Sequence, residues 1–110
     1  MKANELTGAA LDWAVALCED YDIVGSDGWI YIGFAREPYS PSTNWGLGGP
    51  IIKREKIRLD CSWDDGPWSG SCKIDGVTAW VEGATPLEAA MRCYVASKLG
   101  DDIEIPEGLQ

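Results

Sequence analysis

Two segments of the chain carry hydrophobic residues at helical spacing, one near each end. In the first, Thr7 stands where it caps the backbone N–H groups of a helix that runs to about Glu19, and Leu6 precedes it as a staple residue. Successive residues of a helix are about 100° apart around its axis, and this spacing places Asp12, Ala16 and Glu19 on one side. The broad arc on the other side contains Ala10, Leu11, Ala14, Leu17, Cys18 and Tyr21. The pattern predicts an amphipathic helix that lies on a core.

The segment near the other end has sharper boundaries. Residues 85–88 (TPLE) form a capping box with proline at the first helical position, and Gly100 supplies the stop. The helix has an apolar stripe of Leu87, Met91 and Tyr94, and a separate face of small residues, Ala89, Cys93 and Ala96. We expect the central packing helix here, with another element approaching closely on the small face.

Between these helices the period of the pattern changes to two, which is typical of strands. Apolar and polar residues alternate from 57 to 63 and again from 68 to 74, and a third strand is predicted from 77 to 82. The turns between them fall at 64–67 (DDGP) and 75–76 (DG). The sequence therefore predicts a meander of three antiparallel strands.

The pattern from 36 to 56 is less regular. The strand before it, at 29–34, is apolar on both faces and is expected to be internal. The letters EPYSP then predict a loop. Ser42 or Thr43 stands where it caps a helix, but the glycines that follow disfavour its first turns. We therefore predict a helix that starts at Pro50 and runs to about residue 56.

The resulting element order is α-β-α-β-β-β-α. It predicts an α+β domain in which a small antiparallel sheet of about four strands packs with two to three helices. The 110 residues fit one domain, 1–110, with an acidic C-terminal tail at 101–110. No apolar run approaches the roughly 18 residues that a membrane span needs, and the N-terminal residues lack a signal-peptide pattern. We expect a cytoplasmic protein without a membrane partner.

Charge and residue types exclude several classes of function. The chain has no histidine, which excludes Ser-His and Cys-His nucleophile pairs and Cys/His zinc sites. Its 18 acidic and 9 basic residues give a net charge of −9, which argues against direct binding of nucleic acid. We expect no enzyme, no metal and no cofactor. The four cysteines, without a CxxC motif, are expected to be small buried apolar residues in a reducing compartment.

The best candidate for function is the segment at 40–54 (SPSTNWGLGGPIIKR). It places hydroxyl groups, an amide, an indole and three glycines ahead of a short helix. Glycines let backbone N–H groups approach a ligand, and a helix N-terminus favours an anion. The GK[ST] ending of a P-loop is missing. The alternative interpretation is a capped and kinked connection between a loop and a helix.

Basic residues cluster at the end of this segment and just beyond it. Four of the nine lie close together, namely Lys53, Arg54, Lys56 and Arg58. On an acidic protein they form a positive patch suited to a phosphate or an acidic partner, or else they offset the negative end of the short helix. Arg92 lies four residues after Glu88, which is also the spacing of an exposed ion pair within a helix.

Aromatic residues are abundant, with six tryptophans and four tyrosines. Trp63 and Trp68 flank a predicted turn and are expected to pair across the hairpin. Trp29, Tyr31 and Trp80 have two interpretations. They either pack in the core or a subunit contact, or form a stacking platform for a base.

Three blocks of the sequence carry a family resemblance. They are ELTGAALDWAVA at 5–16, SPSTNWGLGGPIIKRE at 40–55 and TPLEAAMRCYVASKLGDDIEIP at 85–106. In this order, over nearly the whole chain, they resemble the NinX family of phage and prophage proteins. Asn44 departs from the aspartate that members often carry before the tryptophan, so no acid role follows for that position. More loosely, the order of elements resembles phage alpha-beta-alpha sandwich domains.

The resemblance implies an accessory protein of a tailed bacteriophage or prophage that acts in the bacterial cytoplasm, and such proteins frequently counter host defence. Our hypothesis is a non-enzymatic protein that binds a small anionic nucleotide-like ligand, as in anti-defence sequestration of a host immune signal. Because so small a chain has little room for a deep pocket, we expect a homo-oligomer with a shared site. The predicted ligand-binding residues are Ser42, Thr43, Asn44, Trp45, Gly48, Gly49, Lys53, Arg54 and Arg92. The alternative is an interaction module that inhibits a host defence protein through its acidic surface.

Overall fold

The computed structural model describes residues 1–26, 28–61, 66–74 and 76–109. Its helices and strands are α1 (Gly8–Cys18), β1 (Ile23–Ser26), β2 (Trp29–Ile32), β3 (Glu37–Pro38), α2 (Trp45–Glu55), β4 (Arg58–Cys61), β5 (Trp68–Ile74), β6 (Val77–Gly83) and α3 (Pro86–Leu99). Single turns of 3₁₀-helix lie at Ala3–Glu5 and Glu107–Leu109. The strands form two antiparallel sheets, sheet 1 with the order β1-β2-β3 and sheet 2 with the order β4-β5-β6.

The α+β class is confirmed, but the prediction of one sheet with about four strands is wrong. β2 is an internal strand as expected, yet it ends at Ile32, and Phe34 lies fully exposed in the following turn. β1 was not predicted, and β3 was expected to be a loop. Four and two residues are too short to show an alternating pattern, and Pro38 fits only an edge strand because it donates no ladder hydrogen bond.

The predicted boundaries of α3 are confirmed. The Glu88 N–H donates to Thr85 Oγ1 at 3.1 Å, and the helix ends before Gly100, which has φ +85°. The small face of α3 packs against sheet 2 as expected. A β-carbon at Gly70 of β5 would stand 2.8 Å from the Ala89 carbonyl oxygen, so the backbones of sheet and helix are in contact.

The bounds of α1 are confirmed, but Thr7 stands at the N-cap without a capping hydrogen bond from its side chain, and the predicted polar face is wrong. Asp12 and Ala16 are buried, and Leu17 and Tyr21 on the predicted core arc are 40% and 45% exposed. The reason is that the chain after sheet 1 covers the second side of the helix. There the Asp12 carboxylate accepts a hydrogen bond of 2.9 Å from the backbone N–H of Ser42.

α2 begins at Trp45 and not at Pro50, so the predicted start is wrong. Its cap is Asn44, whose side chain accepts the Gly46 N–H at 2.8 Å, and neither Ser42 nor Thr43 serves as the cap. At one position in the first turns, Gly48, packing requires glycine. A β-carbon at Gly48 would stand 2.6 Å from the Pro41 carbonyl oxygen and 2.7 Å from Leu87 Cδ2. The close approach therefore outweighs the low helix propensity of glycine.

The cysteines correct the expectation of four reduced, buried thiols. Cys72 of β5 and Cys93 of α3 form a disulfide, because the small face of α3 brings their Cα atoms to 6.4 Å. Cys18 is half-buried, and Cys61 is exposed. Burial raises the pKa of the Cys18 thiol to about 12, so this residue is an inert packing group.

The acidic segment that begins at 101 packs on the fold. Ile103 and Ile105 are buried, and the backbone around Lys2 pairs with that of Asp102. The predicted turns at 64–65 and 75, and the pairing of Trp63 with Trp68, lie outside the described residues. Among the helices that the described residues form, none has the length and apolar character to cross a membrane.

Candidate functional site

Sheet 2 has two chemically different faces. One packs on α3 through glycine and cysteine. Because side chains alternate along a strand, Arg58, Ser71 and Trp80, which are paired in register across the three strands, belong to the other face. Lys73 and Thr78 form the next row of that face. The outer face therefore combines cations, hydroxyl groups and the indole of Trp80, which is 53% exposed.

A cleft of about 550 Å³, which we call the sheet 2 cleft, opens where the C-terminal ends of α2 and α3 meet this sheet. Four of its lining residues are cations: Lys56, Arg58, Lys73 and Lys98. Lys98 Nζ lies 3.4 Å from Glu55 Oε1. The other three form no ion pair with any described residue. Positive charge is thus concentrated on a chain whose net charge is −9.

Arg54 joins the three helices beside the cleft. Its Nη atoms donate to the Glu19 carboxylate at 3.0 and 2.8 Å, and its Nε donates to Glu55 at 2.9 Å. The Tyr94 hydroxyl donates to Glu19 at 2.8 Å and accepts from Arg54 at 3.1 Å. The hydrogen bond from Arg54 lowers the pKa of Glu55, and burial raises the pKa of the Tyr94 hydroxyl. The hydrogen-bond donors of Arg54 are therefore engaged by contacts within the fold.

The predicted binding loop does not converge on one place. Ser42 is buried and borders a different cavity, together with Thr43. Asn44 is the helix cap described above, and Gly48 is buried against Pro41 and Leu87. At Gly49 a β-carbon would have no described atom within 4 Å, so this glycine leaves open space on the helix surface. The structure of the connection between the loop and α2 therefore explains why Asn44 and Gly48 stand at these positions.

The other predicted ligand residues are also dispersed. Trp45 is 55% exposed, and Lys53 is exposed at the end of α2. Arg92 is held on α3, where its Nε donates to the Leu6 carbonyl at 2.7 Å and its Nη1 to the Glu82 carbonyl at 2.9 Å. Its Nη2 lies 3.0 Å from Glu88 Oε1, the pairing that the helical spacing suggested. Arg92 thus holds the N-terminal turn and β6 to α3.

The cavity bordered by Ser42 and Thr43 has a volume of about 320 Å³ and lies between α1 and sheet 1. We call it the sheet 1 cavity. Its wall includes Asp12 of α1, Trp29 of β2 and the buried Tyr39. None of its described lining residues is a cation. In charge it is therefore the opposite of the sheet 2 cleft.

Part of the sheet 2 cleft was not predicted from the sequence. Arg58 was assigned to the basic patch and Trp80 to a stacking platform, without a connection between them. The alternation in β5 and β6 was sufficient to place Lys73 and Thr78 beside Trp80. Lys98 had no such signal, because only the packing of α3 on the sheet brings its side chain to the cleft.

Comparison with known proteins supplies a family. The family model described as Bacteriophage P22, NinX, matches residues 2–98. Because the match covers most of the chain, the protein belongs to this phage family. A comparison with curated proteins finds no match.

Proposed function

We propose that this member of the phage NinX family is a non-enzymatic accessory protein that binds a small anionic, nucleotide-like ligand in the sheet 2 cleft. The observation that carries the proposal is a set of three cations, Lys56, Arg58 and Lys73, around the half-exposed Trp80. Among the described residues, none forms an ion pair with these three. On a chain whose net charge is −9, such a cluster creates a local positive field that attracts an anion.

The chemistry of the cleft suits a nucleotide in two parts. The Trp80 indole offers a π-face on which a base stacks, and such stacking is tolerant of base identity. Beside it on the same face, Arg58 and Lys73 provide charge-assisted hydrogen bonds for phosphate oxygens. Lys56, at the junction of α2 and β4, adds a third donor. The ligand is therefore expected to carry more than one negative charge.

The groups around the cleft favour capture over turnover. Glu55 is the carboxylate of the described lining, and it is bound to Arg54 and Lys98. Because the hydrogen bond from Arg54 lowers the pKa of Glu55, this carboxylate is a weak general base. A ligand held in this cleft is expected to be recovered from the protein chemically intact, which is what sequestration of a host immune signal predicts.

The cleft is open to solvent, and one 110-residue chain covers a nucleotide incompletely. We therefore extend the proposal to a homo-oligomer in which a second copy closes the cleft. A closed site excludes water and strengthens each contact between phosphate and cation. This arrangement would give a small accessory protein the affinity that sequestration needs.

The first test is native mass spectrometry of the protein purified from bacterial cells, followed by calorimetry with nucleoside mono-, di- and triphosphates and cyclic dinucleotides. We expect an oligomer with an added mass of nucleotide size. A monomer that stays bare and binds no member of the panel would contradict the proposal. Salt-sensitive capture of a host protein by that bare monomer would support the alternative, an inhibitor acting through its acidic surface.

Matched variants test the position of the site. Lys73→Glu and Trp80→Ala are expected to weaken binding of the nucleotide identified in that panel by at least about tenfold, with unfolding midpoints near that of the wild type. Lys53→Glu and Trp45→Ala make the same changes of charge and ring outside the cleft, at exposed positions. Binding that is lost in the second pair and retained in the first would move the site to the loop at 40–54.

A further inference from the structure

The wall of the sheet 1 cavity carries two buried polar side chains, a carboxylate without a cation beside it and a hydroxyl without a hydrogen-bond partner, among the described residues. Asp12 is 6% exposed and Ser42 is 5% exposed. Asp12 Oδ1 accepts the Ser42 N–H, and neither carboxylate oxygen contacts a cation in the described part of the chain. The Ser42 hydroxyl is buried without a hydrogen-bond partner among the described residues. A buried hydroxyl without a partner and a buried carboxylate without a counter-charge are destabilising unless something else satisfies them.

The rest of the wall is apolar and aromatic. Ile30 and Pro38 line the cavity, and Trp29, which is 64% exposed, borders it. Tyr39 is buried in the wall, and its ring meets that of Tyr21 edge-on at 5.4 Å. A volume of about 320 Å³ accommodates a group of the size of a phenyl ring with a short side chain. The cavity thus combines an apolar body with one anionic end.

We propose that the sheet 1 cavity is a second binding site, which takes a small primary ammonium group carried on an apolar body. The ammonium donates to Asp12 and to the Ser42 hydroxyl oxygen, while the apolar body packs against Ile30 and the aromatic wall. Trp29 contributes an aromatic face that attracts a cation. An anion is disfavoured here because the Asp12 carboxylate repels it. The site is independent of the ligand proposed for the sheet 2 cleft.

The electrostatics of Asp12 agree with this assignment. Burial raises the pKa of its carboxyl group, and the backbone N–H and the side chain of Ser42 oppose the shift. A cation within hydrogen-bond distance favours the ionised form and removes the penalty of burial. The ligand therefore supplies the positive charge that the described wall of the cavity does not provide.

The test uses the full chain and two probes, 2-phenylethylammonium and the tripeptide Phe-Gly-Gly, with the indole N–H signal of Trp29 followed by NMR. Saturable shifts with either probe support the site, and the tighter probe identifies its source as a free amine or a peptide end. The neutral isostere 2-phenylethanol is expected to bind at least about tenfold more weakly than the amine. Equal binding of the alcohol, or no saturable shift at about 10 mM of either probe, would overturn the proposal.

Two variants assign the contacts. Asp12→Asn keeps an oxygen that accepts the Ser42 N–H, so the variant is expected to fold while binding the amine at least about tenfold more weakly. For Asp12→Asn, the NMR shifts are measured at the indole N–H of Trp29, as in the wild type. Trp29→Ala, at an exposed position, provides a second test by calorimetry, with Trp45→Ala as the control outside the cavity. Unchanged amine affinity in Asp12→Asn would overturn the role of the carboxylate.

Discussion

Sheet 1 and sheet 2 are built alike, but they border spaces of opposite charge. Both are three-stranded and antiparallel. The sheet 1 cavity holds the buried Asp12 and has no cation in its described wall, whereas the sheet 2 cleft is lined by four cations. The two sheets also pack differently. Glycines let sheet 2 lie directly on α3, so its polar side chains remain on the outer face, while sheet 1 leaves space between itself and α1.

The comparison shows that packing on a helix decides where each sheet has room for a ligand. In sheet 2 the inner face is filled by backbone contact, and the outer face is left open around the buried Ser71. In sheet 1 the free space is internal, and a buried polar group faces it. Changes to the packing of sheet 2 are therefore expected to be more destabilising than changes to the wall of the sheet 1 cavity.

The largest effect is expected from removal of the disulfide that links sheet 2 to α3. Replacement of Cys72 and Cys93 by alanine opens a crosslink between residues 21 positions apart, and we expect a loss of about 3 kcal/mol in the free energy of unfolding. Urea unfolding without reductant measures it. Cys61→Ala, at an exposed free cysteine, is the control and is expected to have little effect. A double variant as stable as the wild type would show that the crosslink is not needed.

A smaller loss of stability is expected when a methyl group is added where sheet 2 contacts α3. In Gly70→Ala the added β-carbon would approach the Ala89 carbonyl oxygen to 2.8 Å, so helix and sheet must separate, at a loss of about 2 kcal/mol. Gly49→Ala adds the same atom where no described atom lies within 4 Å, and its higher helix propensity is expected to stabilise by about 0.5 kcal/mol or more. Thermal unfolding measures the stability of each variant relative to the wild type. Equal effects in the two variants would contradict the close packing.

The smallest effect on stability is expected from a change in the sheet 1 cavity, and it is a gain and not a loss. Because burial raises the pKa of Asp12 in the folded state, its contribution to stability is lost as pH rises from the unfolded pKa, about 3.9, through the folded pKa. Asp12→Asn removes this loss. In the absence of ligand, we expect a gain within about 1 kcal/mol at pH 7 that disappears in acid, measured by urea unfolding across pH. A variant less stable than the wild type at pH 7 would show that the carboxylate is structural.

The sequence predicted most reliably where the signal is local. The capping box at Thr85 and the glycine stop at 100 placed α3 correctly, and the alternation in β5 gave its bounds. Prediction failed for α2, because Gly48 is required by Pro41 and Leu87, and Leu87 is distant along the chain. The same limit applied to the candidate site. Trp80 and Arg58 were noticed one at a time, but only the pairing of three strands places them side by side.

The central position of α3 has a consequence for how the protein is made. α3 packs on all three strands of sheet 2, on α1, on α2 and on the first 3₁₀ turn, and it follows all of them in the chain. On the ribosome, those earlier segments emerge before the surface on which they pack. The core can therefore close only after residue 99 has left the exit tunnel, so folding is expected to be completed after synthesis of α3 and not segment by segment.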